Sequence, residues 1–81
     1  MNNEKRFRIS GGTEVERTLA STYLIEHGKS RSAAFEDAGE IFVYLQGNNE
    51  NYKEIDYINS ISKEYHSTLK VEECTRSWQS W

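Results

Sequence analysis

The segment Lys5-Arg6-Phe7-Arg8-Ile9-Ser10 sets the problem that the rest of this chain has to solve. Strand side chains alternate between faces, so Phe7 and Ile9 share one side while Arg6, Arg8 and Ser10 share the other. One face can pack; the other is basic. A strand also carries unpaired backbone donors and acceptors along its edges, and here Gly11-Gly12 leads into a helix rather than into a hairpin. With no second strand close in sequence, the expected mate is the same segment of a second chain. Paired about a two-fold axis, the two copies would form a ribbon with the apolar side chains beneath and the arginines above.

The helix after the glycines has a clear start. Thr13-Glu14-Val15-Glu16 is a capping box, in which the Thr13 hydroxyl accepts from the backbone of Glu16 and the Glu16 carboxylate reaches back, so helix is predicted from Glu14. Val15, Leu19 and Tyr23, flanked by Ala20 and Leu24, form an apolar stripe at helical spacing. Gly28 is suited to end the helix in a left-handed conformation, and His27 sits at the negative end of its dipole. Ser30 can then cap a second helix, placing free backbone N–H groups beside Lys29 and Arg31, an arrangement that attracts anions. That second helix is expected from Arg31 to about Gln46, with Ala34, Phe35, Ala38, Ile41, Phe42 and Leu45 inward. Gly39 would weaken it by about 1 kcal/mol relative to alanine.

The basic strand, the turn Gly28-Lys29-Ser30-Arg31-Ser32 and the small and apolar residues after it resemble the Arc/MetJ-like ribbon-helix-helix family of DNA-binding proteins, over residues 5–45. The resemblance implies a mainly α fold: an intertwined homodimer with a two-stranded antiparallel ribbon, plus a C-terminal helix. It implies double-stranded DNA as partner, with Arg6, Arg8 and Ser10 reading base edges and Lys29, Ser30 and Arg31 fixing the DNA backbone. The chain departs from the family pattern at Gly11-Gly12, where a proline-containing helix start is common, at Ala33, where an acidic residue is common, and at Gly39.

Composition shifts at Gly47-Asn48-Asn49, which divides a DNA-binding and dimerisation region, 1–47, from a C-terminal helix and tail, 48–81. In the second part Asn51 with Glu54 forms a cap, and Ile55, Ile58, Ile61 and Tyr65 step along one face of an amphipathic helix. Residues 68–74 alternate, as a short strand or an extended binding segment would. Trp78 and Trp81 close the chain as candidate anchors, tryptophan being enriched at binding hot spots. The expected protein-binding set is therefore Ile55, Ile58, Ile61, Tyr65, Trp78 and Trp81.

Charge and size set the remaining bounds. The formal charge of −3 predicts no broad attraction to phosphate, yet residues 1–10 hold a local +2 and residues 48–81 a local −2. With 81 residues and 36% hydrophobic content the core of a lone chain is thin, so association is expected to contribute to stability. No apolar run approaches the roughly 20 residues of a membrane span and the start is too polar for a signal peptide, so the expected location is cytoplasmic. The single cysteine, Cys74, agrees with a reducing compartment. Phosphate-loop, Cys-x-x-Cys, His-Glu-x-x-His and nucleophile-elbow patterns are absent, and His27, His66 and Cys74 match no metal-site spacing. No enzyme activity, metal or cofactor is expected.

Two functions of different kinds follow. One is a homodimeric, sequence-specific transcriptional regulator, with antitoxin-type repression or an accessory role in plasmid transfer among the uses the resemblance implies. The alternative is a small phage-type inhibitor or protein-interaction module without DNA binding, in which the basic strand pairs with residues 68–74 of its own chain to give an α+β domain.

Overall fold

The computed structural model describes residues 4–28, 34–37 and 39–74. In chain order the elements are β1 (Glu4–Ser10), α1 (Glu14–His27), β2 (Ala34–Asp37), β3 (Glu40–Gln46), α2 (Asn49–Glu64) and β4 (Lys70–Glu73). The strands form one antiparallel sheet in the order β2-β3-β1-β4. This is the split β-α-β, or ferredoxin-like, connectivity: each helix links two strands that leave room for a third between them.

The fold is thus a small α/β domain, not a mainly α ribbon-helix-helix with a two-stranded ribbon. The reason lies in where the backbone groups of β1 go. One edge of β1 pairs with β3, from Glu4↔Gln46 to Ile9↔Ile41, and the other with β4, from Phe7↔Glu73 to Ser10↔Lys70. Flanked on both sides along Phe7–Ile9 within its own chain, β1 is not available there to a second copy, as the intertwined ribbon would require it to be.

The second correction concerns residues 31–46, expected to be helical. Ala34–Asp37 and Glu40–Gln46 are instead the two arms of a hairpin, paired from Ala34↔Val43 to Asp37↔Glu40. Ile41-Phe42-Val43-Tyr44-Leu45 is a run of β-branched, aromatic and apolar residues whose side chains fit a pleated surface better than a helix. Gly39 decides the matter. At φ +80 it adopts the left-handed backbone that a tight hairpin turn needs, so the residue that weakened the helix makes the turn.

Both helices pack on the face of the sheet that carries Phe7, Ile9, Val43, Leu45 and Val71, and Ala20, Leu24, Ile55 and Ile58 complete the core. The α1 start is as expected, with Thr13 as N-cap and the reciprocal Thr13–Glu16 bonds both formed. Its end differs: Gly28 is extended, at φ −64 and ψ 148, rather than left-handed. The cap of α2 is Asn48 rather than Asn51. Asn51 is buried inside the helix and its side-chain amide donates to the Gln46 carbonyl at 2.7 Å. At the other end of α2, the amides of His66 and Ser67 return to the carbonyls of Lys63 and Ser62, with His66 left-handed at φ +59. No helix among the described residues is long and apolar enough to cross a membrane.

Candidate functional site

Two surfaces remain, the open face of the sheet and the helical layer. Arg6, Arg8 and Ser10 share the open face, as their alternation requires, and each has neighbours on the adjoining strands. Arg6 lies opposite Tyr44, with its guanidinium carbon 4.3 Å from the centroid of the Phe42 ring. Arg8 forms an ion pair with Glu72 on the neighbouring strand. The hydrogen bond from Arg8 holds the Glu72 carboxyl below the usual carboxylate range and raises the pKa of Arg8 itself. Ser10 stands opposite Lys70, which also reaches Glu72 at 3.4 Å. Along β1, β3 and β4 this face carries Arg6, Arg8 and Lys70 against Glu4, Glu40 and Glu72. A face with balanced charge gains little from displacing the counterions of a phosphate backbone. Lys29, Ser30 and Arg31, expected on the DNA backbone, lie outside the described residues.

The helical layer is different in kind. Arg17 donates through Nη1 to the carbonyls of Gly11 and Gly12, at 2.8 and 3.1 Å, and fixes the rotation of α1 about its axis. Ala20, Ser21 and Leu24, one and two turns on from Arg17, are therefore the residues that α1 buries. The stripe read from the sequence is turned away: Val15 and Leu19 face outward, Leu19 being 63% exposed. Tyr23 is half-buried at the rim. On α2, Ile55 and Ile58 enter the core while Tyr57 and Tyr65 stay 54% and 75% exposed.

Between these rows runs an open groove of about 580 Å³, lined by Leu19, Tyr23, Tyr57, Ile58, Ile61 and Tyr65 among others. Three of the four helical residues expected to bind a partner, Ile58, Ile61 and Tyr65, line it; Ile55 lies below in the core. Trp78 and Trp81 lie outside the described residues. Leu19, Tyr23 and Tyr57 are the members that sequence reasoning did not assign to a site. The signal for the first two was an α1 stripe wider than one packing face needs, while Tyr57 had none.

The groove is held open by polar bonds at its margins. Tyr23 donates its hydroxyl to Glu54 on α2 at 2.5 Å, and this bond, with burial and the carboxylate charge, pushes its pKa up to about 12. The Tyr23 ring packs against His27 and Tyr57, at centroid distances of 4.1 and 5.9 Å. At the far end the Ser67 hydroxyl donates to Glu16 at 3.1 Å, joining the loop after α2 to the start of α1. The Tyr23–Glu54 bond thus ties α1 to α2 at one end of the groove, and the Ser67–Glu16 bond ties α1 to the loop after α2 at the other. Among the described residues no group of three or more histidine, cysteine, aspartate or glutamate side chains could hold a metal ion. No known family model, characterised protein or solved structure matches this chain.

Proposed function

We propose that this chain is a small protein-interaction module of the inhibitor type, which docks an amphipathic helix of a partner protein in the groove between α1 and α2. The observation that carries the reading is the outward stripe of α1: Leu19 at 63% exposure faces Tyr57 and Tyr65 across a groove lined chiefly by apolar side chains. Isolated exposed apolar residues are ordinary, but a contiguous concave set marks a docking surface. A helix suits such a groove because its own backbone bonds are already made, whereas an extended segment would bring its peptide groups against walls that are mostly apolar.

DNA reading through a paired ribbon loses its geometric basis, because that mode needs an edge that β1 gives to β3 and β4. The testing experiment is an amide chemical-shift titration of the full chain with a neutral helical peptide carrying leucine at positions i, i+3, i+4 and i+7 among glutamines. Shifts should centre on Leu19, Tyr23, Ile61 and Leu69 and disappear with Leu19→Ser. Shifts confined to the open sheet face, or none at millimolar peptide, would sink the proposal.

A further inference from the structure

We infer that the helix accepted by this groove is basic, about three turns long, with cationic side chains flanking an apolar face and meeting Glu26 at one end and Glu16 at the other. The inference rests on the groove being a docking site and adds the chemistry of its occupant.

Among the described residues, Glu16 and Glu26 are the charged side chains that line the groove. Both belong to α1, ten residues apart, which is about 15 Å along a helix axis at 1.5 Å per residue. An occupant spanning both needs about three turns. Glu16 is fixed in place, since its Oε1 accepts from the Thr13 amide at 2.9 Å and from the Ser67 hydroxyl at 3.1 Å. Glu26 is exposed and, among the described residues, makes no hydrogen bond or ion pair. One end is therefore a fixed acceptor and the other a carboxylate with no hydrogen bond or ion pair among the described residues.

The surrounding charge points the same way. Helix α1 holds Glu14, Glu16 and Glu26 against Arg17, and α2 holds Glu50, Glu54, Asp56 and Glu64 against Lys53 and Lys63, a net −4 for the two helices in a chain of net −3. Arg17 is turned to the carbonyls of Gly11 and Gly12, and neither lysine of α2 lines the groove. A second copy of this chain would set one acidic layer against another, so self-association across this face is opposed. A cationic helix is drawn to it, faster at low salt than at high.

The experiment compares three 14-residue helical peptides with the same four leucines and with lysine, glutamine or glutamate at the flanking positions, titrated against the full chain by fluorescence anisotropy at two salt concentrations. The lysine peptide should bind about tenfold more tightly than the glutamate peptide at low salt, with the gap narrowing as salt rises. Glu26→Gln should weaken the lysine peptide about two- to fivefold and leave the glutamine peptide unchanged, as expected for one rim charge. Leu19→Ser should weaken the lysine and glutamine peptides alike. If Leu19→Ser alters neither, the groove is not the site and both readings fall. If Leu19→Ser acts but the lysine and glutamate peptides bind equally, or Glu26→Gln changes nothing, the charge assignment alone is overturned.

Discussion

Two left-handed residues at the same end of the molecule make opposite demands. Gly11, at φ +74, lies so close to the loop after α2 that a Cβ would stand 2.1 Å from the Thr68 carbonyl oxygen. No rotamer relieves a clash with backbone, so Gly11→Ala must displace the β1–α1 turn, the Arg17 bonds to it, or the loop itself. His66, at φ +59, is a side-chain-bearing residue at the position after the α2 cap where glycine is usual. A left-handed non-glycine residue costs about 1–2 kcal/mol, and glycine returns about 0.4–1 kcal/mol of that through the freedom of the unfolded chain. His66→Gly is therefore expected to raise stability by about 0.5–1 kcal/mol, and Gly11→Ala to lower it by about 3 kcal/mol or more. Urea unfolding of the two variants decides. A lower midpoint for His66→Gly would mean that the histidine side chain makes a contribution its exposure does not suggest.

At the scale of elements, the edge strand β4 is protected by a single side chain from α2. The Cys74 amide donates to the Arg6 carbonyl, so the alternate residue Val71 directs its own amide and carbonyl away from β1. Both are met by Asn59: Oδ1 accepts from the Val71 amide and Nδ2 donates to the Val71 carbonyl, each at 2.9 Å. At Val71 the carboxamide stands in for the backbone of a further strand. Asn59→Leu keeps the volume and removes both bonds, at an expected cost of about 1–3 kcal/mol for the part-buried groups left unpaired. It should also make the apparent size in sedimentation rise with protein concentration. Unchanged stability and size would show that this edge needs no guard.

Elements were legible in the sequence where one local signal outweighed the rest. The capping box placed the start of α1 to the residue, and of the short strand or extended binding segment read in 68–74 the structure has the strand. The hairpin 34–46 was misread because its apolar positions also satisfy helical spacing; the β-branched and aromatic run 41–45 and the left-handed Gly39 are what distinguish it. Of the two mates of β1, β4 lies in the segment 68–74 that the alternative reading paired with it, whereas β3, more than 30 residues away, was hidden by the helical reading of 31–46. The groove was half legible. Ile58, Ile61 and Tyr65 follow from α2 periodicity, but Leu19 faces outward because α1 buries Ala20 and Leu24 instead, a rotation that agrees with the Arg17 bonds to Gly11 and Gly12.

For the whole molecule, the question is whether residues 1–47 are a unit. A ribbon-helix-helix reading makes them a self-sufficient dimer; the split β-α-β connectivity makes them half of a single core. Without residues 48–81, β1 loses its partner along Phe7–Ser10, and Phe7 and Ile9 lose the cover of Ile55, Ile58 and Val71. Burying each of those three aliphatic side chains is worth about 1.5–3 kcal/mol, so the fragment forfeits about 5–9 kcal/mol. The entire stability expected for a domain of this size is about 4–12 kcal/mol at 0.05–0.15 kcal/mol per residue. A fragment of residues 1–47 is therefore expected to be unfolded, with a disordered circular dichroism spectrum and no cooperative transition on heating. Mixing it with a peptide of residues 48–81 should restore structure, because the neighbouring strands β1 and β4 are then available to each other again. A cooperatively folded fragment 1–47 that sediments as a dimer would show instead that the first half can find its pairing partner in another copy, and would return β1 to the edge of a ribbon.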